Sequence, residues 1–164
     1  MNIVLIGFMG SGKTTIGSKL ARRLGYYFLD MDAQIESEQG CSVREIFNYA
    51  GEAHFRALET QLLKRLIDLK NTVISTGGGV VTMDGNLGLM KQIGKLIYLK
   101  VPLEELLHRL KQDTKRPLLQ SEDAEQKIRA LLQQRSPLYE QADYIIEANQ
   151  TSPQIVTTQI IQVL

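Results

Sequence analysis

Gly7-Phe8-Met9-Gly10-Ser11-Gly12-Lys13-Thr14 has the spacing G-x-x-x-x-G-K-[ST], which suits the phosphates of a nucleotide. The glycines let the backbone curl so that N–H groups turn in on phosphate oxygens. A helix beginning near Lys13 adds the dipole of its N-terminus. Lys13 can neutralise the β- and γ-phosphates, and Thr14 can offer its hydroxyl to Mg²⁺. Gly10, Ser11, Gly12, Lys13, Thr14 and the adjoining Thr15 are thus the candidate nucleotide contacts. The loop follows an apolar run and opens a helical pattern, the context it requires. It leaves open where a phosphate would go.

Several signals narrow that question. The sequence contains neither the Asn-Lys-x-Asp nor the Asp-x-x-Gly of a switch GTPase, and motor or transport ATPases are normally larger. A small kinase is the natural reading. Leu29-Asp30-Met31-Asp32 puts two carboxylates at i and i+2 at a strand end, on one side while the chain stays extended. Ligands bind at the carboxyl ends of parallel strands, where one carboxylate can serve a metal and the other an acceptor hydroxyl. The plain alternative is that Asp32 N-caps a helix starting at Ala33. In Gly51-Glu52-Ala53-His54-Phe55-Arg56-Ala57-Leu58-Glu59, the i,i+3 spacing of Arg56 and Glu59 would suit an ordinary surface pair. Thr76-Gly77-Gly78-Gly79 reads either as a tight turn or as a place where backbone approaches a ligand closely. Cys41, the single cysteine, excludes an internal disulfide and reads as an inert thiol.

These residues need elements to hold them. Asn2-Ile3-Val4-Leu5-Ile6, Tyr26-Tyr27-Phe28-Leu29, Thr72-Val73-Ile74-Ser75, Lys95-Leu96-Ile97-Tyr98-Leu99 and Tyr144-Ile145-Ile146 read as short buried strands. Helical stripes lie between them: Ile16, Leu20 and Leu24 before Gly25; Phe55, Leu58, Leu62 and Leu66; Leu103, Leu106, Leu107 and Leu110. Such alternation implies an α/β protein with a mostly parallel sheet and helices on both faces. With 164 residues and neither repeat nor linker, the chain reads as one domain. Its 19 Lys+Arg against 18 Asp+Glu give +1, so no global field favours nucleic acid or membrane, and an anionic ligand needs a local basic cluster. The first apolar run stops at Gly7, too short for a signal or a membrane span, so a cytoplasmic location is expected.

Together the motifs resemble the shikimate kinase family over almost the whole chain. Residues 7–14 match its phosphate loop, Asp30-Met31-Asp32 its Asp-x-Asp, and residues 51–59 its Gly-Glu-x-x-Phe-Arg-x-x-Glu. Gly77-Gly78-Gly79 match its triple glycine, and Arg116-Pro117-Leu118-Leu119 its lid signature. Residues 135–143 match its Arg-x-Pro-x-Tyr-x-x-Ala-Asp. The resemblance implies transfer of the ATP γ-phosphate to the 3-hydroxyl of shikimate, with Mg²⁺. It also implies a three-layer P-loop fold of the nucleoside-monophosphate-kinase type, with a five-stranded parallel sheet in order 2-3-1-4-5.

By the same resemblance Arg56 and Arg135 bind the shikimate carboxylate, a task suited to guanidinium forks. Asp32 holds the ring hydroxyls and can accept the proton. Gly77, Gly78 and Gly79 supply backbone contact, with Gly78 the expected donor, and Phe47 and Phe55 stand near the ring. Thr14 is the metal ligand, with Asp30 acting through water. Lys13, Asp32 and Arg116 form the catalytic set, Arg116 being the lid arginine. Arg109 stacks on adenine with Pro153 opposite, although Asn149-Gln150-Thr151-Ser152 matches the adenine loop only loosely. His108, Lys111 and Lys115 gain no role and read as solvated, and His54 reads as a satisfied or surface histidine rather than a ligand. The chain is expected to be a single kinase domain over 1–164, with a shikimate-binding segment about 32–60 and a lid about 112–121. A monomer binding ATP and shikimate, without nucleic acid or membrane, is expected. A kinase of another small acid such as gluconate, and a non-catalytic nucleotide-binding module, are the alternatives.

Overall fold

Strand β1 (Ile3–Ile6) consists of four apolar residues, every one fully buried. Successive strand side chains point to opposite faces, so burial of all four requires cover on both sides of the sheet. The computed structural model describes residues 1–112 and 123–164. Strands β2 (Tyr27–Asp30), β3 (Thr72–Ser75), β4 (Lys95–Lys100) and β5 (Tyr144–Glu147) join β1 in the order β2-β3-β1-β4-β5. Every pairing is parallel, as expected. Asn2 lies just before β1. Its carboxamide donates to Leu69 O at 2.5 Å and Ile93 O at 3.0 Å, and accepts from Thr72 N at 3.1 Å, lacing together the entries to β1, β3 and β4.

Helix α1 (Lys13–Leu24) buries Ile16 and Leu20, with Leu24 half-buried against the core. A Cβ on Gly17 would stand 2.7 Å from Phe28 and 3.2 Å from Leu5. This close approach seats the helix on β1 and β2 and aims its N-terminus at the carboxyl edge of the sheet. Helices α2 (Met31–Gln39), α3 (Val43–Ala50) and α4 (Glu52–Leu66) fill the excursion between β2 and β3. A 3-10 turn (Val80–Thr82) and α5 (Asn86–Ile93) follow β3; α6 (Leu103–Lys111) and α7 (Ala124–Tyr139) lie between β4 and β5; α8 (Pro153–Val163) closes the chain. The expected stripes bury Phe55, Leu62 and Leu66 on α4 and Leu106 and Leu110 on α6, while Leu58, Leu103 and Leu107 are half-buried. No helix among the described residues is long and apolar enough to cross a membrane. The lid segment, beyond Gln112, lies outside the described residues, as do Lys115 and Arg116.

One expectation fails at the end of β2. The chain does not stay extended through Asp32: α2 begins at Met31, and Asp30 is its N-cap, accepting from Ala33 N at 3.1 Å. Asp32 lies in the first helical turn, where a carboxylate meets the positive end of the dipole. The two carboxylates therefore diverge, one at the strand end and one on the helix.

Because β3 lies between β1 and β2, three chain-distant segments meet at one edge. Ser75 is the register partner of Asp30. Thr76 donates to Leu5 O from both its backbone N, at 3.2 Å, and its hydroxyl, at 2.8 Å. The loop after β1, the end of β2 and the glycines after β3 thereby stand side by side at the carboxyl edge.

Candidate active site

The loop between β1 and α1 has Gly10 at φ 81° and Gly12 at φ 93°, backbone that only glycine adopts readily. Lys13, 8% exposed, donates from Nζ to Gly7 O at 2.7 Å and Phe8 O at 3.0 Å. These carbonyls hold the ammonium against the loop. Ser11 N donates to Phe8 O at 3.1 Å, so this amide closes a turn inside the loop. No side chain caps α1, which leaves its first N–H groups for an anion, with Thr14 and Thr15 exposed beside them.

Thr14 Oγ1 donates to Asp30 Oδ2 at 2.6 Å and lies 3.5 Å from Ser75 Oγ. Three oxygens from β2, β3 and α1 thus cluster at the foot of the loop, a donor set that suits a hard divalent cation. Asp30 has two tasks there, since its other oxygen caps α2. Ser75 was not singled out from the sequence. Its place at the end of β3, immediately before Thr76 and the glycines, was the available signal.

The basic cluster that an anionic ligand needs stands beside the loop. Arg56 on α4 is 8% exposed and Arg135 on α7 is 6% exposed, so neither is an ordinary surface arginine. Arg56 donates from Nη1 to Glu59 Oε2 at 2.6 Å and from Nη2 to Glu52 Oε1 at 3.2 Å. Its guanidinium lies 5.4 Å from the Phe55 ring and 6.0 Å from the Phe47 ring; the rings are 5.2 Å apart. Arg135 lies 5.7 Å from the Phe8 ring. Both arginines keep a buried Nε with no hydrogen-bond partner. Burial works to lower the pKa of Arg56, but the charges and hydrogen bonds of Glu59 and Glu52 outweigh it.

Glu59 is fully buried, which overturns the surface-pair reading of Arg56 and Glu59. Burial pushes its pKa up to about 7, with Asp32 adding to the rise and Arg56 and Arg135 opposing it. Tyr139, also fully buried, stacks on Tyr98 at 5.1 Å and donates its hydroxyl to Gly78 O at 2.5 Å. Burial raises the pKa of this hydroxyl, so it stays protonated. Neither Glu59 nor Tyr139 was assigned a role from sequence, although both lie inside the motifs that frame the arginines.

The triple glycine is explained by these neighbours. None of the three has positive φ, so the turn itself does not require glycine. A Cβ on Gly77 would stand 2.5 Å from Glu59 Oε1 and 3.0 Å from Asp32 Oδ1, and one on Gly79 would run into the Arg56 guanidinium. A Cβ on Gly78 would lie 3.2 Å from Met9 N and 3.6 Å from Arg135 Nη1. The glycines are the floor on which Asp32, Arg56, Glu59 and Arg135 pack. They also join this cluster to the phosphate loop.

Arg109 on α6 donates to Glu105 Oε1 at 2.9 Å, Gly10 O at 3.2 Å and Ala148 O at 3.3 Å. It ties the phosphate loop to the end of β5, from which the chain runs to Pro153 at the first turn of α8. His54, His108 and Lys111 are exposed, as expected. Asp143, the last residue of its motif, is structural: it accepts from Leu96 N at 2.8 Å and donates its own N–H to Leu96 O at 2.9 Å.

A comparison with known proteins matches residues 9–164 to the family model for shikimate kinase. The shikimate kinase of Thermodesulfovibrio yellowstonii is 45% identical over 161 residues, covering 98% of this chain and 93% of the relative. That of Parasynechococcus marenigrum is 49% identical over 164 residues, covering 99% of this chain and 85% of the relative. The solved structure of shikimate kinase from Acinetobacter baumannii in complex with shikimate aligns with a TM-score of 0.94 at 45% identity, covering 99% of this chain and 91% of that one.

Proposed function

Because the chain belongs to the shikimate kinase family, we propose that it transfers the γ-phosphate of ATP to the 3-hydroxyl of shikimate, giving shikimate 3-phosphate and ADP. Membership sets aside a gluconate kinase and a non-catalytic module. The observation that carries the substrate assignment is the pair of buried arginines, each with an unpartnered Nε. A buried donor without a partner is costly, and a carboxylate between Arg56 and Arg135 would satisfy both.

In this reading the phosphates lie on Gly10, Ser11, Gly12, Lys13, Thr14 and Thr15 at the uncapped start of α1. Arg109 and Pro153 flank adenine. Thr14, with Asp30 through water, would hold Mg²⁺, which when bound neutralises phosphate charge and fixes its orientation. Shikimate lies over Gly77, Gly78 and Gly79, its carboxylate on Arg56 and Arg135 and its ring near Phe47 and Phe55. Gly78 N is the donor to it, and the Tyr139 hydroxyl holds the carbonyl of the same residue. Asp32 meets the acceptor hydroxyl and takes its proton as the bond to phosphorus forms. Since phosphoryl transfer has little covalent chemistry for a protein to perform, placement of the hydroxyl in line carries much of the effect. Lys13 and Arg116 stabilise charge on the transferring group; Arg116 is assigned from its motif alone. The chain works as one domain over 1–164, with a shikimate-binding segment about 32–60 and a lid about 112–121, as a monomer in the cytoplasm.

Converting Arg56 or Arg135 to Ala tests the reading. Each change should weaken shikimate binding by roughly 2–4 kcal/mol, the range for truncating one side of a buried charged pair. ATP binding should barely change. Separate titrations of the two ligands measure this, and mutants that lost ATP while keeping shikimate affinity would refute the assignment.

A further inference from the structure

The inner end of the site already balances its charges. Arg56 and Arg135 stand with two carboxylates, Glu59, which is fully buried, and Asp32 on α2, which is half-buried. Glu52, whose side chain is 61% exposed, meets the outer side of Arg56, and Tyr139 on α7 is neutral. Lys13, the other buried cation among the described residues, is held on the carbonyls of Gly7 and Phe8, so a substrate carboxylate docking here adds a negative charge to a group of charges already paired. An unmatched buried charge is costly, and protonating a carboxylate is the cheaper outcome.

Glu59 is the group built to take that proton. Its Oε2 accepts from Arg56 at 2.6 Å, whereas Oε1 is buried with no hydrogen-bond partner. Oε1 and Asp32 Oδ1 both lie within 3.0 Å of the point where a Gly77 Cβ would stand. A hydrogen on Oε1 would turn an encounter of two like charges into that of a donor group with a carboxylate. We infer that Glu59 takes up a proton when the substrate carboxylate docks on Arg56 and Arg135, so that the site binds the acid anion and a proton together. The inference rests on the shikimate reading above.

The direction of the effect follows from the same neighbours. Glu59 is already raised to about 7 by burial and by Asp32, and held from rising further by Arg56 and Arg135. A bound carboxylate engages those two arginines and adds a like charge, so the pKa rises again in the complex. Well below pH 7 Glu59 is protonated before binding, and almost no proton is gained. Above it, free Glu59 is ionised, uptake approaches one proton, and affinity falls by up to about tenfold per pH unit until the pKa of the complex is passed.

Calorimetric titration of shikimate into the whole protein, in buffers of differing ionisation enthalpy, reads the uptake directly. At about pH 8 the wild-type protein should gain about one proton per shikimate bound. Glu59→Gln, of similar shape and neutral, should gain almost none and should bind with an affinity independent of pH. Shikimate binding without proton uptake by the wild-type protein would overturn the inference and leave the function standing. Undiminished uptake by Glu59→Gln would assign the proton to another group and also overturn it. Absence of shikimate binding would overturn the function and this inference together. Even if the variant does not fold, wild-type binding without proton uptake still overturns the inference.

Discussion

Asp30 and Asp32 stand two positions apart in sequence, and the structure gives them different neighbours. Asp30 accepts from the Thr14 hydroxyl at 2.6 Å and caps α2, whereas Asp32 approaches Gly77 beside Glu59. The sequence made both visible as acids at a strand end. It did not show that the strand stops between them, because a helix start at Met31 depends on the Asp30 side chain folding back onto Ala33 N. Arg56 and Glu59 were harder still. An i,i+3 pair looks the same whether its helix faces water or the core, and burial is decided by the sheet beneath α4. The division between the acids has kinetic consequences. Asp30→Asn should raise the Mg²⁺ concentration needed for half-maximal turnover, since it removes charge near the metal. Asp32→Asn should lower turnover at saturating Mg²⁺ by roughly 10²–10⁴-fold, the usual range for losing a proton acceptor, with nucleotide affinity intact. Steady-state assays across Mg²⁺ concentrations separate the two, and interchangeable phenotypes would contradict the division.

At the scale of elements, the apolar runs and helical stripes were legible because each reports the cover over its own few residues. All five strands lie within a residue of their expected bounds at each end. Helix α3 was passed over, although Ser42 and Glu45 form a capping box that the spacing S-x-x-E announces. The triple glycine could not be resolved from sequence, because the groups that demand it come from α2, α4 and α7. Its role is to leave room for them. Gly79→Ala would drive a methyl group into the Arg56 guanidinium, displacing the fork that α4 presents. The guanidinium is the movable partner in that clash, so it gives way and leaves the carboxylate site: the shikimate KM should rise roughly tenfold or more while the ATP KM stays put. An alanine variant with unchanged shikimate KM would show that the close approach is not needed for binding.

For the molecule as a whole, a net charge of +1 gave no hint of an anionic substrate, and the structure explains why. The positive charge that matters is two buried guanidinium groups offset by nearby carboxylates, invisible in any sum over the chain. The sheet order was legible through family resemblance, and it is this order that brings the ends of β1, β2 and β3 together. Across that edge a phosphoryl group is to pass from the nucleotide to one particular acid. The most direct measurement is a coupled ADP-release assay with Mg²⁺ and ATP, run with shikimate, with gluconate and with no acid, and with the phosphorylated product identified. Shikimate should stimulate ADP release by about a hundredfold or more over the acid-free rate, as expected when the acceptor is held in line, with shikimate 3-phosphate formed in equal amount. ADP release at the same rate without an acid, or with gluconate in place of shikimate, would contradict it.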